Sequence, residues 1–70
     1  MEGHRQYLAA LSLLNEGAII EQMSGAPITY RLKHAGQSVP LTGGVFQQLI
    51  AHRHIRQSCR LSGRVVFVPV

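Results

Sequence analysis

Apolar residues recur with a helical period over positions 4–16. Tyr7, Leu8, Ala10, Leu11 and Leu14 fall on one arc, three and four positions apart. Gly17 follows where a left-handed C-terminal cap is wanted, since glycine takes positive φ without a Cβ clash. Leu13 lies off the arc and marks a candidate second contact surface. The period then shortens. Positions 18–22 (AIIEQ) are β-branched at their centre and read as a strand, followed by a Gly- and Pro-marked connector at 23–27. Positions 28–33 alternate, with Ile28, Tyr30 and Leu32 on one side and Thr29, Arg31 and Lys33 on the other. That is a half-buried strand, and the short connector predicts an antiparallel hairpin.

Positions 34–40 (HAGQSVP) read as a loop. Thr42 is a candidate N-cap for a second helix running from Val45 to about Arg53, with Val45, Phe46, Leu49 and Ile50 on its apolar side. Two more strands, 55–61 and 64–70, flank Ser62-Gly63 and form a second hairpin. Unbroken alternation puts Ile55, Cys59, Leu61, Val66 and Val68 on its core face. Arg56, Ser58, Arg60, Val65 and Phe67 then turn to solvent. Pro69 lacks an N–H, which predicts that the last strand lies at a sheet edge. The predicted fold is α+β and winged-helix-like, in the order helix-strand-strand-helix-strand-strand.

Length changes little in this picture, because 70 residues make one domain with a modest core. Charge changes more. The net charge is +4, and every carboxylate (Glu2, Glu16, Glu21) precedes position 22. Arg31, Lys33, Arg53, Arg56, Arg60 and Arg64 follow with no acid among them, which favours polyanionic or acidic partners. No apolar run is long enough to span a bilayer, and MEGHRQY is not an apolar signal segment. The lone Cys59 cannot form an intramolecular disulfide, so a cytosolic protein without a membrane partner is expected. A small core and an apolar last strand also predict homodimerisation through that strand.

The candidate chemistry is therefore binding. Gln47, Gln48, His52 and His54 on the second helix could meet base edges in a major groove. Arg53, Arg56, Arg60 and Arg64 could hold phosphates, making DNA the expected partner. The alternative is a non-catalytic protein-binding inhibitor or toxin-type protein that docks on a larger bacterial complex through apolar Leu13, Val65 and Phe67 beside the arginines. No catalytic signature is present, and three carboxylates confined to the N-terminal region do not make an acid–base pair. No cofactor is implied. His52 and His54 point about 200° apart on a helix and could share a metal only if the helix has already ended. Gly43-Gly44 reads as close packing between loop and helix.

Two segments carry a family resemblance. Leu8-x-x-Leu11-x-x-Leu14 with Glu16-Gly17-Ala18-Ile19-Ile20, and Leu41-Thr42-x-x-Val45-Phe46-x-x-Leu49-Ile50 with Ile55, resemble the YjhX-type toxin family. The resemblance implies a small winged-helix-like domain of bacterial or phage origin that is a toxin–antitoxin component, and the spacing from Leu41 to Ile55 is also similar to the third helix and wing of winged-helix regulators. The positions 18–33 depart from a full helix-turn-helix, which has a helix there.

Overall fold

In the computed structural model, which describes residues 2–70, the first helix, α1 (Glu2–Asn15), stops at the glycine. The Ala18 N–H donates to the Leu13 carbonyl and the Gly17 N–H to that of Leu14, both at 3.0 Å. Gly17 adopts φ +102°, so the pair of bonds closes the helix as a Schellman cap. Ala10 and Leu14, one turn apart, are the buried centre of α1, and Tyr7, Leu11 and Leu13 pack half-buried around them. Leu8 is exposed instead. Leu13 therefore belongs to the core rim rather than to a separate contact surface.

Five strands follow around the second helix: β1 (Ile19–Met23), β2 (Thr29–His34), β3 (Gln37–Leu41), α2 (Gly43–Ala51), β4 (Ile55–Leu61) and β5 (Arg64–Pro69). They form one sheet in the order β3-β2-β1-β5-β4, antiparallel throughout. The fold is thus α+β, but it contradicts the winged-helix-like order expected from the sequence. Residues 37–41, read as part of a loop, are a strand, and the two hairpins merge through β1 and β5 into a single sheet. The turn into β3 uses Ala35 (φ 52°) and Gly36 (φ 79°), the two positive values of a type I′ hairpin. Alanine is a poor marker for that turn, and Pro40 with four exposed positions in five hid the strand.

β5 is interior, not an edge. Pro69 is tolerated because β1 pairs with β5 only as far as Phe67, and Pro69 meets Ile55 of β4 alone. The true edges are β3, which carries Pro40, and β4, which carries a bulge and two arginines. Both features discourage strand addition, so the ground for dimerisation through the last strand is gone.

The bulge turns Ile55 inward, and pairing with β1 decides which side of β5 is buried. Leu61↔Arg64, Arg60↔Val65 and Cys59↔Val66 pair as expected, but Ser58 is then skipped and Gln57 faces Phe67. An extra residue reverses the alternation. Ile55 turns inward while Cys59 and Leu61 turn out, and Phe67, placed opposite Ile20, joins the core. Phe67 and Val65 are core and core rim, not the solvent-facing apolar pair expected.

Both helices lie on that inward face. Ile20 and Leu49 are fully buried at its centre, and Phe46 stacks on Tyr30 (centroids 4.1 Å apart) while meeting Phe67 edge-on at 4.9 Å. Thr42 caps α2 as expected, its Oγ1 accepting from the Val45 N–H at 3.3 Å. Gln6 of α1 accepts from the Thr42 N–H, tying the two helices together. The glycines at the start of α2 are not required for packing. A Cβ on Gly43 would meet Tyr30 at an ordinary 3.6 Å, and one on Gly44 nothing within 4 Å.

Candidate functional site

The opposite face of the sheet carries no helix among the described residues. Partners across an antiparallel ladder point to the same side, so the register assigns its members. β1 contributes Ile19, Glu21 and Met23, and β2 contributes Thr29, Arg31 and Lys33. Arg64, Val66 and Val68 come from β5, and Arg56, Cys59 and Leu61 from β4. The result is four cations around one carboxylate, with aliphatic side chains between them.

Glu21 sits at the middle and is 5% exposed. Its two oxygens are taken by Lys33 Nζ at 3.0 Å and Arg64 Nη1 at 3.3 Å. Among the described residues no buried side-chain polar atom lacks a partner, so the carboxylate is fully compensated. Lys33 and Arg64 keep about two fifths of their side-chain surface in solvent (41% and 39%), so each still presents charge outward. Arg31 is braced against β3, its Nε donating to Ser38 Oγ at 2.7 Å. Arg56 is exposed at the β4 edge.

One row of this face has a cation at each end. Lys33 pairs with Ile19, and Val68 pairs with Arg56. In the strand order β2-β1-β5-β4, these place a cation on each outer strand and an aliphatic residue on each inner one. None of the four aromatic residues lies there: Tyr30, Phe46 and Phe67 are in or against the core and Tyr7 is on α1.

Of the residues proposed from sequence for nucleic acid, only Arg56 and Arg64 lie on this surface. Gln47 and Gln48 are exposed on α2, on the far side of the molecule from Arg56 and Arg64. Arg60 pairs with Val65 and so lies on the helix-bearing side. Arg53 stands in the turn after α2 at φ 58°. The expected single basic surface is therefore divided between the two faces. Arg31 and Lys33 complete the bare face but were missed as site residues, though their alternation with Tyr30 and Leu32 was visible in the sequence.

His52 and His54 lie beyond the end of α2 at Ala51, the condition under which they could approach one another. Their rings are 6.1 Å apart, and each is 6.1 Å from Tyr7. His54 Nε2 shares a hydrogen bond with the Tyr7 hydroxyl at 3.1 Å. No group of three or more His, Cys, Asp or Glu residues able to hold a metal occurs among the described residues. Cys59, expected inside, is exposed on the bare face.

No helix among the described residues is long and apolar enough to cross a membrane. No protein-family model matches the chain, and no curated protein or solved structure matches it either.

Proposed function

We propose that this protein is a non-catalytic binding module that docks the bare face of its sheet on an acidic protein surface. The single observation that carries the proposal is the composition of that face: Arg31, Lys33, Arg56 and Arg64 stand among half-buried Ile19, Met23 and Val68, with Glu21 as the only carboxylate on it. Aliphatic contact area bordered by positive charge is the make-up of a protein interface whose partner is acidic. The cytosolic setting expected from sequence remains part of this proposal, and an exposed, unpaired Cys59 thiol fits a reducing compartment.

Nucleic acid fits less well. A face that grips single strands offers aromatic platforms, and this one offers none. A helix entering a major groove is flanked by phosphate-binding cations, whereas α2 holds no basic residue in its last turn. The net charge still draws DNA at low salt, so duplex is the comparison ligand in the test.

Amide chemical shifts followed by NMR test the proposal, with poly-glutamate and a DNA duplex titrated in turn. The expected perturbations under poly-glutamate lie at Ile19, Lys33, Arg56 and Val68, with Gln47, Gln48 and Ala51 unmoved. If duplex binds more tightly and its shifts centre on Gln47, Gln48 and Arg53, the proposal is wrong and the nucleic-acid alternative replaces it.

A further inference from the structure

The bare face has a definite shape as well as a charge. Its two middle strands, β1 and β5, carry half-buried Ile19, Met23 and Val68, with the Glu21–Arg64 ion pair and buried Val66 between them. Beside β1, β2 presents Arg31 and Lys33, and beside β5, β4 presents Arg56, Cys59 and Leu61. Neighbouring strands are about 4.8 Å apart, so the cations on β2 and β4 stand roughly 14 Å from each other across the aliphatic strip. An α-helix with its side chains is about 10–12 Å across. A helix laid along β1 and β5 therefore fits between Arg31 and Lys33 on one side and Arg56 and the exposed Leu61 on the other, its apolar stripe on Ile19, Met23 and Val68.

We infer that the occupant of this face is an acidic amphipathic helix of a partner protein. The inference rests on the proposed docking function and narrows it to one kind of partner. Glu21 does not oppose this occupant. It is covered and neutralised by Lys33 and Arg64, so it does not repel an incoming carboxylate as a free acid would. A second copy of the chain is not the occupant, because two such faces would bring cations against cations. A bare sheet face is also the surface on which α+β domains add a helical layer, and this domain has its own helices on the other side only. Strands of five and six residues span about 17–20 Å, which matches a helix of about a dozen residues at 1.5 Å each.

The probe is a capped peptide of about 18 residues with leucines at helical spacing and glutamates on both flanks. Its control is a peptide of identical composition whose order destroys the stripe. Binding is read by fluorescence anisotropy at low salt, with the folded state of each protein variant checked by thermal melting. The helix is expected to bind the intact protein at least about tenfold more tightly than its scrambled isomer. Arg56→Glu is expected to weaken that binding about tenfold or more, while Arg60→Glu, the same charge change on the helix-bearing side, leaves it within about twofold. Lys33→Gln, which removes a border cation without adding an acid beside Glu21, is expected to weaken it as well. Equal affinity for the two peptides would overturn the helical occupant while leaving an acidic partner standing. Failure of both peptides and of poly-glutamate to bind would overturn both, and equal losses for Arg56→Glu and Arg60→Glu would overturn the placement.

Discussion

Tyr7 of α1 and His54, just before β4, are 47 positions apart and share a hydrogen bond of 3.1 Å. His54 is held there by the end of α2: its N–H donates to the Leu49 carbonyl at 2.9 Å, and the Arg53 N–H to that of Ile50 at 3.0 Å. The close of the second helix is thereby fastened to the start of the first. Tyr7→Phe removes the hydroxyl and keeps the ring, so a loss of about 1 kcal/mol is expected. In a domain of this size that lowers Tm by roughly 4–8 °C, which calorimetry would read directly. An unchanged Tm would mean that the bond contributes nothing.

Arg53 occupies the left-handed position of that helix end, where φ is 58° and glycine is the residue favoured. A side chain there carries strain of about 1 kcal/mol. Arg53→Gly is therefore expected to raise stability by up to about that amount in urea unfolding, offset by the greater entropy of the unfolded glycine chain. A marked loss instead would show that the guanidinium makes a stabilising contact of its own.

Glu21 and its two cations behave asymmetrically. Replacing Lys33 and Arg64 together by alanine leaves a nearly buried carboxylate without a partner, and a loss of about 2–3 kcal/mol is expected once the solvent exposure of both cations is discounted. Glu21→Gln leaves only half-exposed cations unpaired and costs less, about 1 kcal/mol. Chemical denaturation of the two variants compares them, and the reverse ranking would contradict the account.

Phe67 and Leu61 test which side of the hairpin is buried. Phe67→Ala removes a ring that meets Phe46 and is expected to cost about 3–5 kcal/mol, enough to unfold a domain this small at room temperature. Leu61→Ala, on the open side and 44% exposed, should stay within about 0.5 kcal/mol. Far-UV circular dichroism distinguishes the two, and similar effects would return the hairpin to simple alternation.

Sedimentation tests the edges. With β5 interior and the outer strands carrying Pro40, the Ser58 bulge and arginines, a monomer is expected at high micromolar concentration. Dimers that vanish when an arginine is placed at Val39 on β3 would show that this edge pairs after all.

Most of what is decided within a turn or two of chain was legible in the sequence. The first helix, its end at Gly17, the N-cap at Thr42, the β1–β2 hairpin and the turn at Ser62-Gly63 each depend on neighbours a few positions away, so residue type and spacing specify them. The third strand was not legible, because Ala35-Gly36 is an unusual type I′ pair and Pro40 argues locally against a strand. Nor was the buried side of the last hairpin. That depends on one extra residue at Ser58 and on β5 pairing with β1, some forty-five positions away, which sets Phe67 opposite Ile20. Sequence alone determined that the C-terminal part of the chain is basic and rich in aliphatic residues. Only the tertiary structure decided which cations stand together, because strand alternation sends adjacent residues to opposite faces and only pairing between distant strands reveals which face the helices cover.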